Sequence, residues 1–163
     1  NSEMKPKGVF VVDSPIDLMA LHKSSEKNVE RNYSEASVQE SNWIIQTLGK
    51  QLGDPLINIS NYEKYSVYTS ETNNFDNIKR LKNVKIRLYS EPDTIWWKQN
   101  RMADLDQMNA YYLERLSALL KTSGFEQTEY IATENKGYRA NGERHPHSWS
   151  IVDQKGLIEW IAE

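Results

Sequence analysis

The run Val9-Phe10-Val11-Val12 limits the fold of this chain more than any other stretch. A continuous series of β-branched and aromatic residues suits a strand covered on both faces, as in a parallel sheet. The strand is expected over Lys7 to Val12, and Asp13-Ser14-Pro15 ends it. Only six residues precede it, so its sheet neighbours have to come from elsewhere. Val84 to Tyr89 reads as a second strand, with Val84, Ile86 and Leu88 alternating with Lys85 and Arg87. That alternation predicts one face less buried than in the first strand. Phe125 to Thr133 reads as a third.

Helical patterns separate these strands. Ile16 to Val29 places Leu18, Leu21 and His22 on one face, and Ser34 or Ser37 caps a second helix that runs to Leu52. Its inward residues are expected to be Val38, Trp43, Ile45, Leu48 and Leu52. Leu56 to Asn74 is polar and aromatic, with Tyr62, Tyr65 and Tyr68 closely spaced, and reads as a loop-rich connection with room for short helices. A helical turn over Asp76 to Leu81 leads into the second strand. A long amphipathic helix is expected from about Ala103 to Thr122, closed by Gly124, and a last one from about Ile151 to Ala162.

Strands alternating with helices predict an α/β class chain with parallel βαβ units. In such sheets functional residues gather beyond the carboxyl ends of the strands. Three polar clusters fall there: Asp13-Ser14, Glu91-Pro92-Asp93, and the loop His145-Pro146-His147-Ser148-Trp149-Ser150. A chain of 163 residues, 38% hydrophobic and 26% charged, can bury a core. A net charge of -3, with no run of like charges, supplies no general pull toward nucleic acid or an anionic membrane. No apolar run is long enough to span a membrane. The absence of cysteine excludes disulfides, thiol nucleophiles and thiolate metal sites, and leaves the compartment open.

From Gly8 to Glu163 the chain resembles the C-terminal portion of the α/β-hydrolase superfamily domain, from the strand after the nucleophile's helix onward. Gly8-Val9-Phe10-Val11-Val12-Asp13-Ser14-Pro15 is similar to that strand, and about 16–74 falls where the family inserts a helical cap. Val84 to Asp93 resembles the strand and turn that present the acid, and Phe125 to Thr133 with His147 resembles the last strand and the histidine loop. The resemblance implies a partial α/β-hydrolase fold over 1–163: a mostly parallel sheet of about three strands, flanked by helices and a cap-like insertion. It departs from the family in one respect. No Gly-x-Ser-x-Gly elbow occurs, so the nucleophile-bearing part is absent.

What the resemblance implies for chemistry is acyl transfer on an ester or related bond of a small-molecule substrate, without a cofactor. Asp93 would orient His147, and His147 would act as general base and then general acid toward a serine on the missing segment. Glu91 is the alternative acid, with Asp93 preferred because the family's acid sits past the strand in the turn. Alone, the chain is expected to be inert. Trp96, Trp97 and Trp149 are candidates to line a substrate pocket, with core or cap packing as the competing role. Asp13 is assigned to hydrogen bonding within its own turn. His145 is expected to be exposed. A metal held by His145 and His147 with Asp93 or His22 is disfavoured, since no third ligand stands at a diagnostic spacing. Ser14, Ser148 and Ser150 sit in no glycine-flanked elbow. A non-catalytic α/β binding or interaction module is the competing class, in which Asp93 and His147 are incidental. The edge of the first strand is expected to pair with the missing amino-terminal segment or with a second copy of the chain.

Overall fold

A computed structural model describes residues 6–162. The chain is α/β, with three parallel strands in one sheet among the described residues. In chain order the elements are β1 (Gly8–Val12), α1 (Leu18–Arg31), α2 (Glu35–Leu52), α3 (Ile59–Tyr65), β2 (Lys85–Ser90), α4 (Thr94–Arg101), α5 (Asn109–Thr122), β3 (Thr128–Ala132) and α6 (Gln154–Ala162). The order across the sheet is β1-β2-β3, with Val12 opposite Tyr89 and Ser90 opposite Ala132. All three strands therefore end on the same side, where Asp13, Glu91 and Thr133 follow them.

The chain divides into two compact units. The first takes in residues up to Ser14, then Arg80–Asp93, then Asn109 onward, and so holds the sheet, α5 and α6. Its centre is β2, where Ile86, Leu88, Tyr89 and Ser90 are buried, together with Leu113, Leu116 and Leu120 of α5. A cluster of Tyr89, Ile151, Val152, Leu157 and Trp160 packs with Val12 and Ile131. Gly8 is tied to this packing, because a Cβ there would stand 3.0 Å from the Trp160 ring. The second unit comprises Pro15–Lys79 and Thr94–Met108. It contains the whole of the segment 16–74, with Met19, Leu52 and Tyr62 at its centre.

Several elements differ from the sequence reading for identifiable reasons. Among the described residues β1 is an edge strand with no fully buried residue, and Phe10 is exposed. The less continuous β2 is the central, more buried one, since position in the sheet decides burial. In α2, Trp43 is exposed and Ser41 buried. The steps 38, 41, 45, 48 and 52 keep one face at 3.6 residues per turn, and position 43 lies on the opposite side. The long helix expected from Ala103 begins only at Asn109. Met102 has a φ of 52° and Met108 is extended, which separates α4, a short 3₁₀ turn at Leu105–Gln107 and α5. The last helix starts at Gln154, after a 3₁₀ turn at Trp149–Ile151.

Candidate active site at the carboxyl ends of the strands

Asp13 stands at the point where β1 leaves the sheet. Its N–H continues the ladder by donating to the Tyr89 carbonyl at 2.8 Å, and its own carbonyl accepts from Asn109 Nδ2 at 2.6 Å. Between these two ties its φ is 38°, a left-handed conformation that Asp tolerates better than most residues. The kink commits a buried carboxylate to one direction, and Oδ2 lies 2.8 Å from Nδ1 of His147. The histidine side chain keeps 46% of its exposure while the Asp13 side chain keeps 7%. A cleft of about 140 Å³ surrounds the pair, lined also by Val12, Ser14, Ser148 and Trp149. Trp149 is largely exposed and meets Phe10 edge-on, with ring centroids 6.5 Å apart.

The acids that follow β2 are occupied differently. Glu91 is buried, and its carboxylate accepts from Thr133 Oγ1 at 2.9 Å, from the Lys136 N–H at 2.8 Å and from the Gly137 N–H at 3.1 Å. Arg144 forms an ion pair with Glu91 and another with Asp93, Nη2 to Oδ2, at 2.7 Å. Its Nη1 donates to the Gly137 carbonyl at 2.8 Å. Both oxygens of Glu91, and Oδ2 of Asp93, are thus matched by a guanidinium or a backbone dipole. This cluster fixes both ends of the loop that carries the histidine. At Gly137 the approach is close: a Cβ would fall 2.6 Å from the His145 carbonyl and from Pro146 Cα. Pro146 is fully buried and His145 donates its N–H to Gly137 at 2.9 Å. The segment before His147 is therefore clamped, and the imidazole is delivered to Asp13.

The residues read from the sequence are distributed accordingly. His147 stands beside Asp13, which had been assigned to its own turn. The signal was the same as for Asp93, an acid at a strand end. The sequence does not say which of two strand ends the loop after β3 reaches. Asp93 and Glu91 both hold Arg144, and Trp149 lines the histidine's cleft. Trp96 and Trp97 lie on α4 in the second unit, packed edge-on with centroids 5.3 Å apart, and Arg101 stands over Trp96. His145 is partly buried, with Nδ1 3.2 Å from the His147 carbonyl. Ser150 Oγ accepts from the Tyr138 N–H at 2.7 Å and lies 2.8 Å from the Lys136 and Tyr138 carbonyls, a structural pin. Among the described residues no three His, Asp or Glu side chains come together to hold a metal. No helix among them is long and apolar enough to cross a membrane. No family model, no curated protein and no solved structure matches the chain.

Proposed function

We propose that the chain carries the acid and histidine of a serine-hydrolase-like acyl-transfer site, similar to the C-terminal portion of an α/β-hydrolase domain. Asp13 takes the role of orienting acid that the sequence pattern gave to Asp93. The observation that carries this reading is the 2.8 Å contact between Asp13 Oδ2 and His147 Nδ1 at the carboxyl end of a parallel sheet. A carboxylate on Nδ1 fixes the tautomer that leaves Nε2 to exchange protons, and stabilises the imidazolium formed when it does. His147 would take the proton of a serine hydroxyl as it attacks an ester or related acyl carbon, then return it to the leaving group. With Asp13 as the acid, the chain order nucleophile, acid, histidine of these hydrolases is kept.

The nucleophile and the backbone donors for the oxyanion would come from a segment that pairs with β1. Among the described residues β1 has a strand on one side only, and an apolar strand of this composition suits a neighbour on each side. A second copy of the chain along the same edge is the other way to complete the sheet.

The test uses the gene product that contains these residues together with a serine-reactive phosphonate probe. Labelling is expected, and His147→Ala should abolish it, since loss of a triad histidine costs roughly a millionfold in kcat. Asp13→Asn should slow labelling by about 10⁴ through the wrong tautomer, while Asp93→Asn leaves it nearly unchanged. Absence of labelling, or labelling that ignores His147→Ala, overturns the proposal.

A further inference from the structure

Asp13 sits between two peptide planes, and the bonds on those planes decide where its carboxylate points. The plane before it, between Val12 and Asp13, is held twice. Its N–H donates to the Tyr89 carbonyl at 2.8 Å, and its carbonyl accepts from Ser14 Oγ at 3.0 Å. The plane after it, between Asp13 and Ser14, has its carbonyl on Asn109 Nδ2 at 2.6 Å, across 96 positions of sequence. Rotation about the Asp13 N–Cα bond swings that carbonyl and the Cβ together. Holding the carbonyl therefore holds the carboxylate. The φ at stake is 38°, a left-handed value that is costly for a residue with a Cβ and persists only where the surroundings over-determine it.

Asn109 is a firm anchor for this bond. It is the first residue of α5, and Ala110, Leu113, Leu116 and Leu120 of that helix are buried. The same helix lies against β2 and β3. Asn109 is itself half-buried. Near a helix start an asparagine ordinarily accepts from backbone N–H groups, a role that aspartate fills equally well. Toward Asp13 it is a donor, and only the NH2 end of the amide can meet a carbonyl. The strand end needs this amide; the helix start does not.

We propose that Asn109 is the positioning residue of the Asp13–His147 pair, its amide holding the Asp13 carbonyl so that Oδ2 stays on His147 Nδ1. Asn109 acts through Asp13 and takes no proton itself. The inference deepens the acyl-transfer reading and rests on it for its catalytic consequence, while its geometric part concerns the pair alone.

The experiment compares variants of the 163-residue chain by the long-range ¹H–¹⁵N spectrum of His147, at a pH where the imidazole is neutral, and by thermal unfolding. In the native chain the Nδ1–H tautomer is expected, since a carboxylate faces that nitrogen. Asn109→Asp keeps the size of the side chain and suits a helix start, where negative charge is favourable, but has no donor for the carbonyl. It should move the tautomer ratio toward Nε2–H by a factor on the order of ten, the scale of one hydrogen bond, with Tm near the native value. Asn109→Ala removes the donor without adding charge and should shift the ratio in the same direction. Leu119→Ala, at a half-buried position of the same helix, should lower Tm and leave His147 as it was.

In the gene product that contains these residues, Asn109→Asp should slow phosphonate labelling on the order of ten-fold, against roughly 10⁴ for Asp13→Asn. His147 nitrogens unmoved by both Asn109 substitutions, or moved as far by Leu119→Ala, would overturn the proposal. A native ring already in the Nε2–H form would remove the Asp13–His147 pair and the proposal with it. A tautomer shift in a protein that no phosphonate labels would instead sink the acyl-transfer reading and leave the positioning by Asn109 standing.

Discussion

Asp13 and Glu91 follow neighbouring parallel strands, are both buried, and are treated in opposite ways. Glu91 is surrounded by donors: a hydroxyl, two backbone N–H groups and a guanidinium shared with Asp93. Asp13 has its backbone tied on both sides while its carboxylate goes to a single, half-exposed imidazole. A carboxylate neutralised by arginine and dipoles serves architecture, because its energy is spent within the ground state. A carboxylate paired with a ring that can gain and lose a proton is available to chemistry. The first builds the loop, and in the proposed reading the second uses what the loop delivers.

Removing the architectural partner should have the largest effect. Glu91→Ala removes the buried partner of Arg144 and frees the Lys136 and Gly137 amides, and should cost about 3–5 kcal/mol in urea denaturation. Arg144→Met leaves Glu91 with its hydroxyl and amide donors, so a smaller loss of about 2–3 kcal/mol is expected. Asp13→Asn should change stability by less than about 1 kcal/mol, since Asn also accepts a left-handed φ. Its effect should appear in the long-range ¹H–¹⁵N spectrum of His147, as a shift toward the Nε2–H tautomer. Asp93→Asn should be the mildest, about 0.5 kcal/mol, because Arg144 keeps its buried partner. If Asp93→Asn disturbs the His147 ring nitrogens as much as Asp13→Asn does, the contrast between the two strand ends collapses and Asp93 regains the role of acid.

Much of the fold is legible in the sequence because it rests on local pattern. The three strands, the Ser34 cap of α2 and the turn at Gly124 follow from periodicity and from residues with narrow conformational preferences. The order of the sheet is less accessible. Val9 to Val12 is the most apolar strand, and an edge position for it depends on which chain lies beside it rather than on its own composition. The break at Met102 was hidden for a related reason: methionine is a good helix former, and its positive φ is imposed by its surroundings. At the site the sequence names the histidine and three acids at strand ends. The choice among them is tertiary. Arg144 takes two of the acids, and a guanidinium 51 positions beyond Asp93 carries no local mark of that pairing.

The loop before the histidine closes on itself. His145 donates its N–H to Gly137, Tyr138 and Arg144 form an antiparallel bridge, and Arg139 and Glu143 are joined by a backbone hydrogen bond of 2.9 Å. The tip at Gly142 has open space around it and a φ of 86°. Residues 139–143 are therefore a side branch whose root is fastened independently of its length. Extra residues at Asn141-Gly142 would add little closure entropy and would leave the root, and the imidazole after it, where they are. Homologous chains would be free to diverge in length at this tip, and an engineer could graft a recognition peptide or reporter there without retuning the chemistry.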